Sequence, residues 1–295
     1  MKNITQTLQY WGLGDAAARP IESPSQSTWD VDGKYILKET SRFSSAEELQ
    51  SGMQFSSLLS TQNIPVTVFI PANNGQLTSP DGRYCLMTKL QGEHADFYAE
   101  PHLAAEMGRE LAQLHVALSC IEPQIKCRDS DLLADWDNWI RPGLDGFVSN
   151  DTVETIDTIF RKLYPNLPCQ LIHRDVHSHN VLFDNGKLTG WLDFDISQRN
   201  ARLFDIAYLL SGLLYGEQHD PARVGIWHTI RRNLLHGYDE IDALTDDERT
   251  ALPVLIIVIE WLFVCFWSGR GDTEQRDAAL ELAKWSYDEY IKGGF

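Results

Sequence analysis

The chain lacks most of the features that would place it outside the cell, within a bilayer or on nucleic acid. Its five cysteines (Cys85, Cys120, Cys127, Cys169 and Cys265) are odd in number, widely spread and without a CxxC pair, which argues against a disulfide frame or a cysteine-based zinc site. Basic residues are scarce, 25 Lys and Arg against 42 Asp and Glu, for a net charge of −17. Such a field repels nucleic acid and anionic membrane surfaces. Long apolar runs are limited to Ala251–Trp267, ALPVLIIVIEWLFVCFW; it is short for a span, contains Glu260 and reads as a helix buried inside a globular lobe. The first residues, MKNITQTLQYWGLGD, contain no apolar core of signal-peptide length. There is no internal repeat and no low-complexity segment, and residues 22–31, ESPSQSTWDV, contain no GxGxxG. These absences predict a reduced cytoplasmic protein, a monomer or weak homodimer, with no nucleic-acid or membrane partner.

What is present divides unevenly. Residues 1–90 hold 7 Lys/Arg against 8 Asp/Glu, whereas residues 91–295 hold 18 against 34. The C-terminal part therefore suits a cationic or neutral ligand better than an anionic one. Val31–Glu39 reads as a turn followed by a strand, Ser44–Ser60 as a helix, and Ile64–Ile70 and Tyr84–Met87 as further strands. From Pro101 onward apolar residues recur at helical spacing, as at Leu103, Met107, Leu111, Leu114 and Leu118. Further helices are expected over Asp151–Tyr164, Phe204–Tyr215, Ile226–Tyr238, Leu252–Trp267 and Thr273–Ile291. One β island interrupts them: Val181–Phe183 and Leu188–Leu192 flank Asp184-Asn185-Gly186, a hairpin signal. The fold class is α+β, with a β-rich lobe over 1–90, a hinge at about 88–92 and a mainly helical lobe over 91–295.

The densest chemical signal flanks that hairpin. Leu171–Asn180 is LIHRDVHSHN and Trp191–Asp195 is WLDFD, so His173-x-Asp175-x4-Asn180 is followed by Asp193. Phosphoryl transfer to a hydroxyl requires one carboxylate to orient the acceptor and take its proton, and oxygen ligands to hold Mg²⁺ on the phosphates. Asp175 suits the first task, and Asn180 with Asp193 suits the second. His173 reads as a packed structural residue. A zinc site from His173, His177 and His179 lacks a Cys or Glu at ligand spacing.

This pattern resembles the catalytic and metal-binding loops of the protein-kinase superfamily, and more closely the aminoglycoside phosphotransferase family with its choline, homoserine and methylthioribose kinase relatives. Asp195 stands where a protein kinase has Gly, and Phe204-Asp205-Ile206-Ala207 resembles the D-x-A element of the family, whose Asp braces the catalytic loop. The resemblance implies a protein-kinase-like fold, ATP and Mg²⁺ as cofactors, and a small-molecule hydroxyl as acceptor. It implies Lys38 on the α- and β-phosphates, with Glu48 (or Glu47) as its partner, and adenine contacts at Thr88 and Leu90 with Met87 beside the base. Ser23, Ser25, Gln26 and Ser27 stand where polar phosphate contacts would come from, and His177 is assigned an auxiliary role near the phosphates.

Two rivals share these residues: a Ser/Thr protein kinase and a catalytically silent nucleotide-binding scaffold. Only 11 residues separate Asp193 from Asp205, which leaves little room for an activation segment. A silent scaffold would be expected to have lost one of Lys38, Asp175, Asn180 or Asp193. The acceptor itself is not legible; Asp135, Asp137, Asp145, Glu217, Glu260 and Trp267 are candidate contributors.

Overall fold

The computed structural model describes residues 4–21, 27–42, 46–125 and 129–295. They form two compact units, one of residues 1–93, 123–126 and 181–195, the other of residues 94–122, 127–180 and 196–295.

In the first unit, a short helix α1 (Ile4–Leu8) precedes strands β1 (Ala18–Pro20), β2 (Thr28–Val31) and β3 (Tyr35–Glu39), then helix α2 (Ala46–Thr61) and strands β4 (Phe69–Ile70) and β5 (Tyr84–Thr88). The five strands make one antiparallel sheet in the order β1-β2-β3-β5-β4. Asp32 (φ 54°) and Gly33 (φ 68°) occupy the left-handed region in the β2–β3 turn, which Lys34 N–H closes onto the Val31 carbonyl at 3.0 Å. Leu37 is fully buried with Leu8, Val31, Tyr84 and Leu86 in one core cluster, and strand alternation sends its neighbour Lys38 to the other face.

The expected strand over Ile64–Ile70 contracts to β4. Pro65 has no N–H to donate to a ladder; its carbonyl instead accepts from Trp191 N–H at 2.8 Å, and Val66 makes a single bridge to Trp191. Trp191 belongs to the expected hairpin, β7 (Val181–Asp184) and β8 (Lys187–Trp191). A second bridge, Glu93 to Phe183, also ties this hairpin to the first unit. The compact unit is thus built from separated chain segments rather than from a division at residue 90.

The second unit is mostly helical. α3 (Leu103–Ile121), two short helices α4 (Leu132–Asp135) and α5 (Arg141–Gly143) joined by a π-helical turn (Trp136–Ile140), and α6 (Asn150–Leu163) precede β6 (Cys169–Ile172). β9 (Gln198–Ala201) returns to pair with β6, and α7 (Leu203–Leu214), α8 (Pro221–Asp239), α9 (Asp246–Arg270) and α10 (Thr273–Lys292) complete it. α3 and α8 cross with their backbones in contact: a Cβ on Gly108 would overlap the Leu234 carbonyl, and one on Gly237 the Ala105 carbonyl. α9 opens with a capping box between Thr245 and Glu248 and ends at Gly271 (φ 72°). It is long and apolar enough to cross a membrane by length and composition, yet 67% of its most apolar window is buried inside the protein.

Candidate active site

The antiparallel pairing of β6 with β9 sets the start of the loop that carries His173, Asp175 and Asn180. Its backbone turns at Arg174, whose φ of 70° lies in the left-handed region, sparsely populated for residues other than glycine. What holds that turn is Asp205, fully buried in the first turn of α7. Its carboxylate accepts from the backbone N–H of His173 at 2.9 Å and of Arg174 at 2.7 Å. His115 Nε2 lies 3.0 Å from the same carboxylate, and its Nδ1 lies 2.7 Å from the Tyr238 hydroxyl. His115 and Tyr238 are likewise fully buried. Behind them, Arg202 joins Glu248 at 2.7 Å and stacks over Tyr238. His173 is a bracing residue: it is fully buried, its Nδ1 accepts from the Asp175 N–H at 3.2 Å, and its carbonyl accepts from the Ser197 hydroxyl at 3.2 Å.

This scaffold presents Asp175 with both carboxylate oxygens engaged. The Tyr208 hydroxyl donates to Oδ1 at 3.0 Å, and Asn180 Nδ2 donates to Oδ2 at 3.0 Å and to the Asp175 carbonyl at 2.9 Å. His177 Nε2 stands 3.6 Å from Oδ2. Burial alone would raise the Asp175 pKa, but the His177 contact and the Tyr208 hydrogen bond outweigh it and leave it below the ordinary value. Asp175 is therefore an oriented, ionised carboxylate at neutral pH. Because Asn180 turns its NH₂ toward Asp175, its side-chain carbonyl faces away, as a hard-cation ligand requires.

In the first unit, Lys38 lies on β3 with its ammonium 3.4 Å from Asp195 Oδ2. Asp193 takes a left-handed backbone (φ 59°), which Asp tolerates better than most residues. Burial pushes Asp195 up to about 6, with the charge and hydrogen bond of Asp193 adding to the rise and Lys38 opposing it. Two carboxylates and one lysine thus share a small volume, and among the described residues Lys38 pairs with Asp195. Glu47 and Glu48 fall in α2, but their side chains lie outside the described residues, as do Ser23, Ser25 and Gln26. At the expected hinge, the Thr88 N–H already donates to the Val68 carbonyl at 2.9 Å, so Thr88 has no amide left to offer a base. The Leu90 side chain abuts Gly190.

A cavity of about 210 Å³ opens in the second unit beside the loop that carries Asp175, lined by His177, Tyr208, Ser211, Gly212, Tyr215, Glu260, Phe263, Trp267 and Ala279. Tyr208 and His177 also touch Asp175, so the cavity and the carboxylate adjoin. Glu260 is 3% exposed and accepts from the Ser211 hydroxyl. Burial pushes its carboxyl up to about 7 against that single hydrogen bond. Of the six candidate acceptor residues, Glu260 and Trp267 line this cavity. Asp137 pairs with Arg161 and Glu217 with Arg223, while Asp135 accepts from the Trp139 indole. Asp145 borders a separate hollow with Arg141.

Sequence reading missed Tyr208, Ser211, His115 and Tyr238. The first two had a signal: Asp205, Tyr208 and Ser211 recur every three residues, a single stripe on α7. His115 and Tyr238 stand on α3 and α8, and no local pattern couples them to Asp205.

The sequence profile of the phosphotransferase enzyme family matches residues 18–244 of this chain. A homoserine kinase of Bartonella henselae is 26% identical over 263 residues, covering 86% of this chain and 78% of that protein. A homoserine kinase of Polaromonas naphthalenivorans is 28% identical over 268 residues, covering 84% and 80%. Among solved structures, an aminoglycoside phosphotransferase from Alicyclobacillus acidocaldarius superposes with a TM-score of 0.70 at 16% identity, over 98% of this chain and 94% of that one. A microcompartment-associated aminopropanol kinase superposes with a TM-score of 0.67 at 18% identity, over 99% and 97%. The fold is protein-kinase-like, and the chain belongs to the phosphotransferase enzyme family as a small-molecule kinase with a hydroxyl group as acceptor.

Proposed function

We propose that the protein transfers the γ-phosphate of ATP to a hydroxyl of a small molecule with Asp175 as the catalytic base. The acceptor oxygen attacks the γ-phosphorus, its proton passes to the Asp175 carboxylate, and the bond to the bridging oxygen breaks with ADP as leaving group. The observation that carries this reading is the presentation of Asp175, ionised and oriented by Tyr208 and Asn180 at the edge of a cavity. Positioning and charge neutralisation, rather than base strength, supply most of the acceleration in such reactions.

Asn180 and Asp193 would hold Mg²⁺, which binds through one or two protein oxygens together with phosphates and water; when bound it neutralises charge developing on the phosphates. The Asn180 carbonyl, freed by the contact of its NH₂ with Asp175, fits that role. Lys38 would contact the α- and β-phosphates with Glu48 as a partner, Leu90 would contact adenine, and His177 would assist near the phosphates. On this reading residues 1–90 serve the nucleotide and residues 91–295 carry the catalytic and metal-binding loops and the acceptor site, in a cytoplasmic monomer or weak homodimer.

Asp175→Asn tests the assignment. The carboxamide keeps the shape, so calorimetry should find ATP-Mg²⁺ affinity nearly intact. Turnover should fall by roughly 10²–10⁴-fold, the contribution of a positioned general base. Parental turnover in this variant would remove Asp175 from the chemistry.

A further inference from the structure

We infer that the acceptor is a small amino alcohol that carries an ammonium group and no carboxylate, its nitrogen seated on Glu260 and its hydroxyl on Asp175. This deepens the proposed function and rests on the cavity being the acceptor site. A buried carboxylate needs a compensating partner, since burial disfavours its charged form. Among the described residues Glu260 has one hydrogen-bond partner, Ser211, and the cavity lining contains no lysine or arginine. Its negative charge is instead joined by that of Asp175: both raise the Tyr208 hydroxyl beyond the rise that burial causes.

The walls around Glu260 reinforce this chemistry. Tyr208, Tyr215, Phe263 and Trp267 line the same cavity, and aromatic faces attract a desolvated ammonium. A bound ammonium would supply the missing countercharge and exchange water for ring faces.

The same lining excludes a second charge. Homoserine, the compound named for the relatives, carries a carboxylate besides its ammonium, and that anion would need a cationic donor. His177 is the one basic side chain in the lining, and it already faces Asp175. A carboxylated acceptor would therefore place an unpaired anion among Glu260, Asp175 and aromatic rings. Size points the same way. The cavity, about 210 Å³, falls below the range of roughly 300–1,000 Å³ that drug-sized ligands occupy, which favours a small acceptor. Glu260, Phe263, Trp267 and Ala279 all lie beyond residue 244, where the family match ends. The selectivity would thus be a property of this chain's own C-terminal helices.

Turnover with ATP and Mg²⁺ is measured on 2-aminoethanol, 3-amino-1-propanol and 1-amino-2-propanol, against homoserine and the uncharged propane-1,3-diol. The amino alcohols should exceed both comparators by about 10²-fold or more in kcat/KM, as expected when a site built for one polar group meets a ligand that mismatches it. Glu260→Gln should raise KM for the amino alcohols by about 10²-fold, enough to erase their advantage over the diol, with ATP affinity retained. Trp267→Leu, a milder change if Glu260→Gln folds poorly, should weaken the amino alcohols several-fold and spare the diol. Preference for homoserine, or an unchanged amino-alcohol KM in both variants, would overturn the inference and leave the kinase reading standing. If the parent phosphorylates none of these, calorimetry with 3-amino-1-propanol decides. Binding that Glu260→Gln abolishes supports the cavity assignment while the kinase reading fails, and no binding overturns the assignment.

Discussion

Glu260 makes a stability prediction that needs no knowledge of the substrate. In the folded protein burial pushes its carboxyl from the ordinary 4.5 up to about 7, with Ser211 alone opposing. The native state therefore holds this proton to higher pH than the unfolded chain does. Below about pH 4.5 both states are protonated and the residue costs nothing. Between about pH 4.5 and 7 the unfolded state gains by ionising while the native state does not, so stability falls as pH rises; above about pH 7 the loss is constant. At roughly 1.4 kcal/mol per pH unit the interval corresponds to about 3 kcal/mol. Glu260→Gln is neutral throughout and retains an oxygen to accept from Ser211. Urea unfolding at a series of pH values should find variant and parent within about 0.5 kcal/mol at pH 4.5, with the variant more stable by about 2–4 kcal/mol at pH 8. Equal stability at pH 8, or a less stable variant there, would show that the Glu260 carboxylate is compensated in the native state and would remove the reason for a cationic ligand. A variant that gains stability and loses amino-alcohol turnover would mark Glu260 as a residue whose cost is kept for binding.

Asp205→Ala should orphan three buried partners, the amides of His173 and Arg174 and the His115 ring. At about 1–3 kcal/mol per unsatisfied group the loss rivals the whole stability of a typical domain, and thermal unfolding should show a collapse of the helical unit. Gly108→Ala should destabilise by several kcal/mol or more despite its better helix propensity, because the added methyl meets the α8 backbone; circular dichroism melts would register it. An unchanged melting temperature would show that the two helices can move apart freely. Asp193→Ala should weaken ATP-Mg²⁺ binding markedly in calorimetry, and equal affinity would remove Asp193 from the metal site.

The sequence by itself determined the class of chemistry and the order of the elements. His173, Asp175, Asn180 and Asp193 are separated by short, turn-rich intervals, so their spacing survives in one dimension. The same holds for the helices, whose periodicity is local: α3, α6, α7 and α10 formed close to where the apolar spacing placed them, while α8 began five residues earlier, at Pro221 behind an Asp220 cap, and α9 six residues earlier, at Asp246 behind a Thr245 cap. What only the tertiary structure decided depends on residues far apart in the chain. His115 reaches Asp205 across 90 positions, Tyr238 reaches His115 across 123, and Ser211 reaches Glu260 across 49. A buried polar side chain takes its function from whatever partner burial forces on it, and no composition or period encodes that choice. Glu260 illustrates the difference: in sequence it is one acid in an apolar run, and only the packing of α7, α9 and α10 leaves it buried, with no lysine or arginine in the lining and facing a cavity beside the loop that carries Asp175.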